Sequence, residues 1–140
     1  MAVGAATIRA LPLHETAGWD RSTAASWPQP RLAVDTEPDS GPVVVRTIYT
    51  VAPEGEGAFL RAMAGARLSR LRTGATQWGL FRDGERPGRF VELFVVASWA
   101  EHLRQHEGRL TGTDREIDAA AKAFSDPPAQ TAHWIATEVD

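Results

Sequence analysis

His102 and His106 stand four residues apart in the stretch Ser98-Trp99-Ala100-Glu101-His102-Leu103-Arg104-Gln105-His106-Glu107, which reads as a short helix, so both imidazoles fall on one face. Imidazole changes charge near neutral pH, so such a pair could act as a base beside a ligand or contact a metal or heme. No third ligand stands at metal spacing, and Glu107, next to His106, points away from it on a helix. The plainer reading is a partly exposed helix end whose imidazoles meet terminal carbonyls. It outweighs metal binding, and it weighs evenly against His106 as a pocket base.

Other chemistry-bearing residues are scattered. Tyr49 is the only phenol, and Thr47 lies two residues before it on the same strand face, so the two could hydrogen-bond a ligand carbonyl. Trp78, Trp99 and Trp134 could wall a flat ligand, although in so small a domain indoles are more often core. Arg46 and Glu92 fall on strands expected to be adjacent, either as an interstrand ion pair or as an anchor for an acidic substrate. His133, beside Trp134, reads as a satisfied interface residue. The chain shows no Ser-His-Asp set, glycine-rich phosphate loop or paired-carboxylate motif. Gly84-Glu85-Arg86-Pro87-Gly88 is turn chemistry, and Asp83 and Glu85 in that loop make a poor acid/base pair.

Composition narrows the classes. The 140 residues suffice for one domain, and a hydrophobic share of 43% allows a real core. A net charge of −3 argues against nucleic acid, which needs a concentrated basic face. No run approaches the ~20 apolar residues of a membrane span, and residues 2–8 are too short for a signal peptide. The absence of cysteine removes disulfides, thiolate catalysis and cysteine-ligated zinc. The expected compartment is the cytoplasm.

Residues 1–42 carry prolines at 12, 28, 30, 38 and 42 and no lasting periodicity, as an extended lead-in does. Trp19 and Trp27 in that arm are expected to pin it to the domain or to a neighbouring subunit. Residues 43–139 form the domain. A β-branched run predicts a strand over 43–51. Pro53 and Glu54 open a helix with an apolar face of Phe59, Leu60, Met63, Ala66, Leu68 and Leu71, ended by Gly74. Strands follow over 75–82 and 89–97, then a helix from 99 to about 107 with Ser98 and Glu101 as a capping box. A third helix, over about 113–124, stops at Pro127-Pro128, and a last strand spans 130–139. That order is an α+β, ferredoxin-like split βαβ unit with a four-stranded antiparallel sheet. Both sheet faces look apolar: Phe90, Phe94 and Val96 alternate with Val91, Leu93 and Val95. The helices can cover one face, so a second sheet, and hence a homodimer, is expected on the other.

Residues 77–83, Pro87-Gly88-Arg89-Phe90-Val91-Glu92 and the Ser98–Glu107 stretch quoted above resemble one family. It is the antibiotic-biosynthesis-monooxygenase-like dimeric α/β-barrel domain, of the type at the C-terminus of major-facilitator secretion (transmembrane effector) proteins. The similarity covers about 43–139, and Trp27-Pro28-Gln29-Pro30-Arg31-Leu32 resembles the stretch that joins membrane bundle to domain. The resemblance implies a freestanding relative or a detached soluble end of such a protein. The family's oxygenases act without metal or flavin on phenolic polyketides, or on bound heme. Heme-degrading members rely on an Asn, a Trp and a His; Thr47 takes the Asn position here, Trp99 matches the Trp, and His106 sits where the His is expected.

Three functions are therefore weighed. The first is a small secondary-metabolism enzyme, a cofactor-independent oxygenase or cyclase acting in an apolar pocket on a polyketide-like or aromatic intermediate. His106, Tyr49 and Trp99 would be catalytic, and Thr47, Trp78, Arg46, Glu92 and His102 would contact the substrate. The second is a non-catalytic binding module associated with an exporter but not inserted in the membrane. Heme binding or degradation is the third. The first two call for no metal and no cofactor.

Overall fold

A run of β-branched residues makes β1 (Val43–Thr50), in which buried and half-buried side chains alternate along the whole strand. The computed structural model describes residues 30–139. After β1 a 3₁₀ turn (Pro53–Gly55) leads into α1 (Glu56–Thr73), then β2 (Gln77–Arg82), β3 (Arg89–Val96) and α2 (Trp99–Arg104). A π-helical turn (Gln105–Arg109), α3 (Gly112–Lys122) and β4 (Gln130–Ile135) complete the chain. The strands form one antiparallel sheet in the order β2-β3-β1-β4, the ferredoxin-like arrangement that the sequence predicts.

All three helices stack on one sheet face. Tyr49, Phe59, Met63 and Phe90 form one buried cluster, and Val43, Val45, Phe94, Val96 and Trp99 a second. Each large side chain so buried contributes about 1.5–3 kcal/mol. The opposite face carries Val44, Ile48, Val91, Leu93 and Val95, all half-buried. Phe81 and Trp134 stand beside them 54% and 51% exposed, so both faces are apolar as expected.

The buried face of α1 departs from the predicted one. Phe59, Met63 and Ala66 are buried, but Leu60, Leu68 and Leu71 are exposed; Ser69, Arg70 and Thr73 take the inner positions. Spacing explains it, because 59, 63, 66, 70 and 73 advance by alternating fours and threes and so share one face. The polar members are tolerated there because each meets a partner across the core. The capping box expected on α2 is half formed. Ser98 accepts the Glu101 N–H, but the Glu101 carboxylate is bound by Arg104 and Arg109 instead. The complete box belongs to α3, where Thr111 and Asp114 satisfy each other's backbone N–H.

From Pro30 to Pro42 the chain forms neither helix nor strand, yet it is fastened. The first two amides of α2, at Trp99 and Ala100, donate to Ser40 O and Pro38 O at 2.8 Å each, which supplies partners for helix-end donors. Leu32 packs against the second core cluster. Trp19 and Trp27, expected to anchor the arm, lie outside the described residues. Among the described residues no helix is long and apolar enough to cross a membrane.

Candidate active site

Arg70 sits where the apolar stripe of α1 would place another hydrophobe, and only 3% of it is exposed. Its Nε donates to Glu92 Oε1 at 3.0 Å and a terminal nitrogen donates to Asp118 Oδ1 at 2.7 Å. The other Asp118 oxygen meets Lys122 Nζ at 2.8 Å. Glu92, fully buried, also accepts from Trp78 Nε1 at 3.0 Å and from the Tyr49 hydroxyl at 2.9 Å. Burial alone would favour neutral Arg70, but Glu92 and Asp118 more than reverse that and raise its pKa. Burial, and then the charge of Glu92, push the Tyr49 phenol far above its ordinary value. Tyr49 therefore stays a hydrogen-bond donor inside the fold.

Next to this network lies a cavity of about 400 Å³ between sheet and helices. Val45, Thr47, Phe94, Thr131 and His133 line its sheet side, and Arg70 reaches it from α1. His106 enters from the π turn, and Arg115, Asp118, Ala119 and Lys122 from α3, and Pro30 of the lead-in also borders it. The lining therefore mixes apolar side chains with polar ones, and its charged groups, three cations and the Asp118 carboxylate, are gathered on the helix side.

Both histidines of the helical pair are buried, 0% exposed for His102 and 6% for His106, so the expected partly exposed helix end is corrected. Their Nε2 atoms lie 3.1 Å apart with the rings at 84°. The ring of His133 lies 5.0 Å from that of His102. Desolvation, then the charge of His106, lowers the His102 pKa to about 3. Desolvation, then His133 and Arg70, lowers that of His106 to about 4. Burial also lowers His133. All three rings are neutral at pH 7. Among the described residues no group of three or more His, Cys, Asp or Glu side chains is arranged to hold a metal ion.

The structure brings His106 and Thr47 to the cavity wall, with the Thr47 hydroxyl 2.9 Å from that of Thr131. Glu92 stands one contact behind, holding Arg70. His102 supports His106 from within the core. Tyr49 and Trp78 are bound to Glu92, and Trp99 packs against His102 and His133, so none of these three lines the cavity. The expected Arg46–Glu92 pairing is corrected. The β1–β3 register sets Thr47 opposite Glu92 and Arg46 opposite Leu93, which puts the two charges on opposite sheet faces. Arg46 instead lies over the Trp134 ring, 5.5 Å from its centroid, on the face away from the helices. Trp134 is on that same outer face. Sequence reasoning missed Arg70, Arg115, Asp118, Lys122 and Thr131, and took His133 for an interface residue. The usable signal was Arg70, a charge in helical register with Phe59, Met63 and Ala66.

The fold is the one that solved antibiotic-biosynthesis-monooxygenase-like proteins share. A candidate antibiotic biosynthesis monooxygenase from Caulobacter crescentus is 17% identical, with a TM-score of 0.61 over 71% of this chain and 93% of that one. The cofactor-independent oxygenase SnoaB from Streptomyces nogalater, solved as a mutant, gives 16% and 0.59 over 69% and 94%. A further candidate monooxygenase, from Nitrosomonas europaea, gives 14% and 0.58 over 69% and 91%. At such identities the likeness is one of fold. At the level of sequence, residues 1–139 match the transmembrane secretion effector family, and the chain belongs to it. No curated protein matches this sequence.

Proposed function

We propose that the chain is a small enzyme of secondary metabolism that acts in its cavity on a polyketide-like or aromatic intermediate, as a cofactor-independent oxygenase or cyclase. The observation that carries the reading is one wall holding neutral His106 with three cations, Arg70, Arg115 and Lys122, against the single lining carboxylate of Asp118, which Arg70 and Lys122 share. His106 takes a proton from a phenol or enol of the bound ligand, and the cations stabilise the anion that results. The cations are essential to this account. Against a phenol of pKa ~10, a base near 4 faces a gap of about six units, roughly 8 kcal/mol, which nearby positive charge must offset. An oxygenase lets the electron-rich anion react with dioxygen; a cyclase lets it attack a carbonyl of the same ligand, folded back in the cavity.

The test incubates purified protein with phenolic polycyclic ketones in air and under argon. Oxygen-dependent turnover marks an oxygenase and oxygen-independent turnover a cyclase. His106→Gln is expected to lower kcat at least tenfold without lowering ligand affinity in proportion. Wild-type kcat in that variant would remove His106 from the mechanism. The structural likeness to SnoaB supports this reading.

Membership of the transmembrane secretion effector family favours a second reading, a non-catalytic module that binds cargo for an exporter. Saturable ligand binding with no turnover in either atmosphere would support it. Heme binding fits less well, because His106 Nε2 is engaged by His102 at 3.1 Å and its Nδ1 is buried.

The outer face of the sheet supports a homodimer as part of the proposal. Leu93, Val91 and Phe81 offer an apolar surface that a second copy would cover, leaving each cavity within its own subunit. Light scattering at micromolar concentration is expected to give twice the chain mass, and Leu93→Glu is expected to give the single mass. A wild-type monomer would refute the pairing.

A further inference from the structure

The two imidazoles belong to a longer hydrogen-bond chain whose polarity is set at its far end. Thr73 Oγ1 lies 2.8 Å from Ser69 O and 3.3 Å from Arg70 O, both in α1. A carbonyl can only accept, so the single hydroxyl proton of Thr73 is directed at the helix backbone. Toward Gln105 that hydroxyl is then an acceptor, and the Gln105 amide turns its NH₂ to it at 2.9 Å. The amide oxygen is left facing His102 Nδ1 at 3.1 Å. It too can only accept, so His102 carries its proton on Nδ1 and, as a neutral ring, holds its lone pair on Nε2. The atom 3.1 Å from that lone pair, His106 Nε2, must supply the N–H.

We propose that Thr73 and Gln105 are positioning residues that, through His102, hold His106 as its Nε2–H tautomer with the basic lone pair on Nδ1. Thr73, Gln105 and His102 are at most 1% exposed, so solvent does not compete for any link of the chain. The cost of breaking a link is correspondingly high, since each would leave a buried polar group unsatisfied. The arrangement leaves the lone pair that can receive a proton on His106 Nδ1, an atom that is itself buried. Once Nδ1 is protonated, the His106 Nε2–H already points at the His102 lone pair, and the positive charge can be shared between two rings. His133 from β4, Arg70 from α1 and Asp118 and Lys122 from α3 act electrostatically on His106; His133, Arg70 and Lys122 oppose that charge while Asp118 favours it. Thr73 and Gln105 act only through His102, and their effect on turnover rests on the enzymatic reading above. The tautomer itself does not.

Long-range ¹H–¹⁵N correlation spectra of histidine-labelled protein at pH 7, assigned through the backbone, test it directly. The expected pattern has protons on His102 Nδ1 and His106 Nε2, and bare nitrogens at His102 Nε2 and His106 Nδ1. Gln105→Leu is expected to scramble this pattern and lower kcat at least tenfold with KM little changed. Gln105→Glu, held as the neutral acid in this buried position, donates to Thr73 Oγ1 and keeps a carbonyl acceptor for His102 Nδ1, and so should restore the pattern and most of the rate. A wild-type spectrum with His106 protonated on Nδ1, or a Gln105→Leu spectrum with unmoved nitrogens, overturns the proposal. The expected pattern in a protein without turnover upholds the tautomer and removes only the enzymatic reading. Should Gln105→Leu fail to fold, the wild-type spectrum alone decides.

Discussion

Arg70→Met is expected to destabilise the fold by about 3–5 kcal/mol, because it removes one partner of a buried ion network and leaves the others in place. Methionine preserves most of the stem volume, so the loss is electrostatic. Glu92, now 3.0 Å from a guanidinium, would lose its cation while fully buried, and Asp118, now 2.7 Å from it, would keep only Lys122 at 2.8 Å. For a domain of this size such a loss lowers Tm by more than about 10 °C. Urea melts at pH 7 measure it. The triple variant Arg70→Met, Glu92→Gln, Asp118→Asn removes the stranded carboxylates and is expected to recover a good part of the loss, although Tyr49 and Trp78 must then rely on the amide oxygen of residue 92. A single variant within about 1 kcal/mol of wild type would show that the network is not a stabilising hub. The result bears on function too, since the same guanidinium faces the cavity.

Acidification is expected to unfold the domain in a window set by the histidines. His102 and His106 have folded pKa values of about 3 and about 4, against 6.5 when unfolded. Between those limits the unfolded chain binds more protons than the folded one, so protons favour unfolding. Their stabilisation is complete above about pH 6.5 and is lost progressively as the pH falls toward 4. For the pair this amounts to a few kcal/mol at pH 4.5, a fall in Tm on the order of 10 °C from its value at pH 7. Asp114 acts lower: burial opposes its charge, but hydrogen bonds from Arg72 and Ser69 outweigh that and depress its pKa, so its stabilisation is lost below about pH 4. The two windows can therefore be separated. Calorimetry at half-unit steps from pH 7 to 4.5 measures the effect, and the double variant His102→Gln, His106→Gln should flatten the profile. An equally steep profile in that variant would assign the acid sensitivity elsewhere.

The elements themselves were legible in local pattern. The β-branched run in β1, the alternation in β3, Pro53 before α1 and Gly74 after it declared strands and a helix without any tertiary knowledge, and their order allowed little but a ferredoxin-like sheet. The alternation also showed that both sheet faces would be apolar, because period-two patterning survives in any register. His106 and Thr47 at the cavity were legible as residue types on the right elements.

Register and packing decided the rest. Arg46 and Glu92 seemed natural partners on neighbouring strands, but a one-residue offset sends them to opposite faces, and no single strand records its offset from the next. Tyr49 and Trp99 looked available to a ligand because each has the right chemistry, and they are occupied because Glu92 and the histidine cluster reach them first. The polar side of the cavity assembles Arg70 from α1, His106 from the π turn and Lys122 from α3, three segments with no common sequence signature. Local propensity depends on neighbours along the chain and is written there. A cavity depends on which distant side chains meet and on the polar groups whose burial their meeting makes tolerable, so only the folded chain determines it.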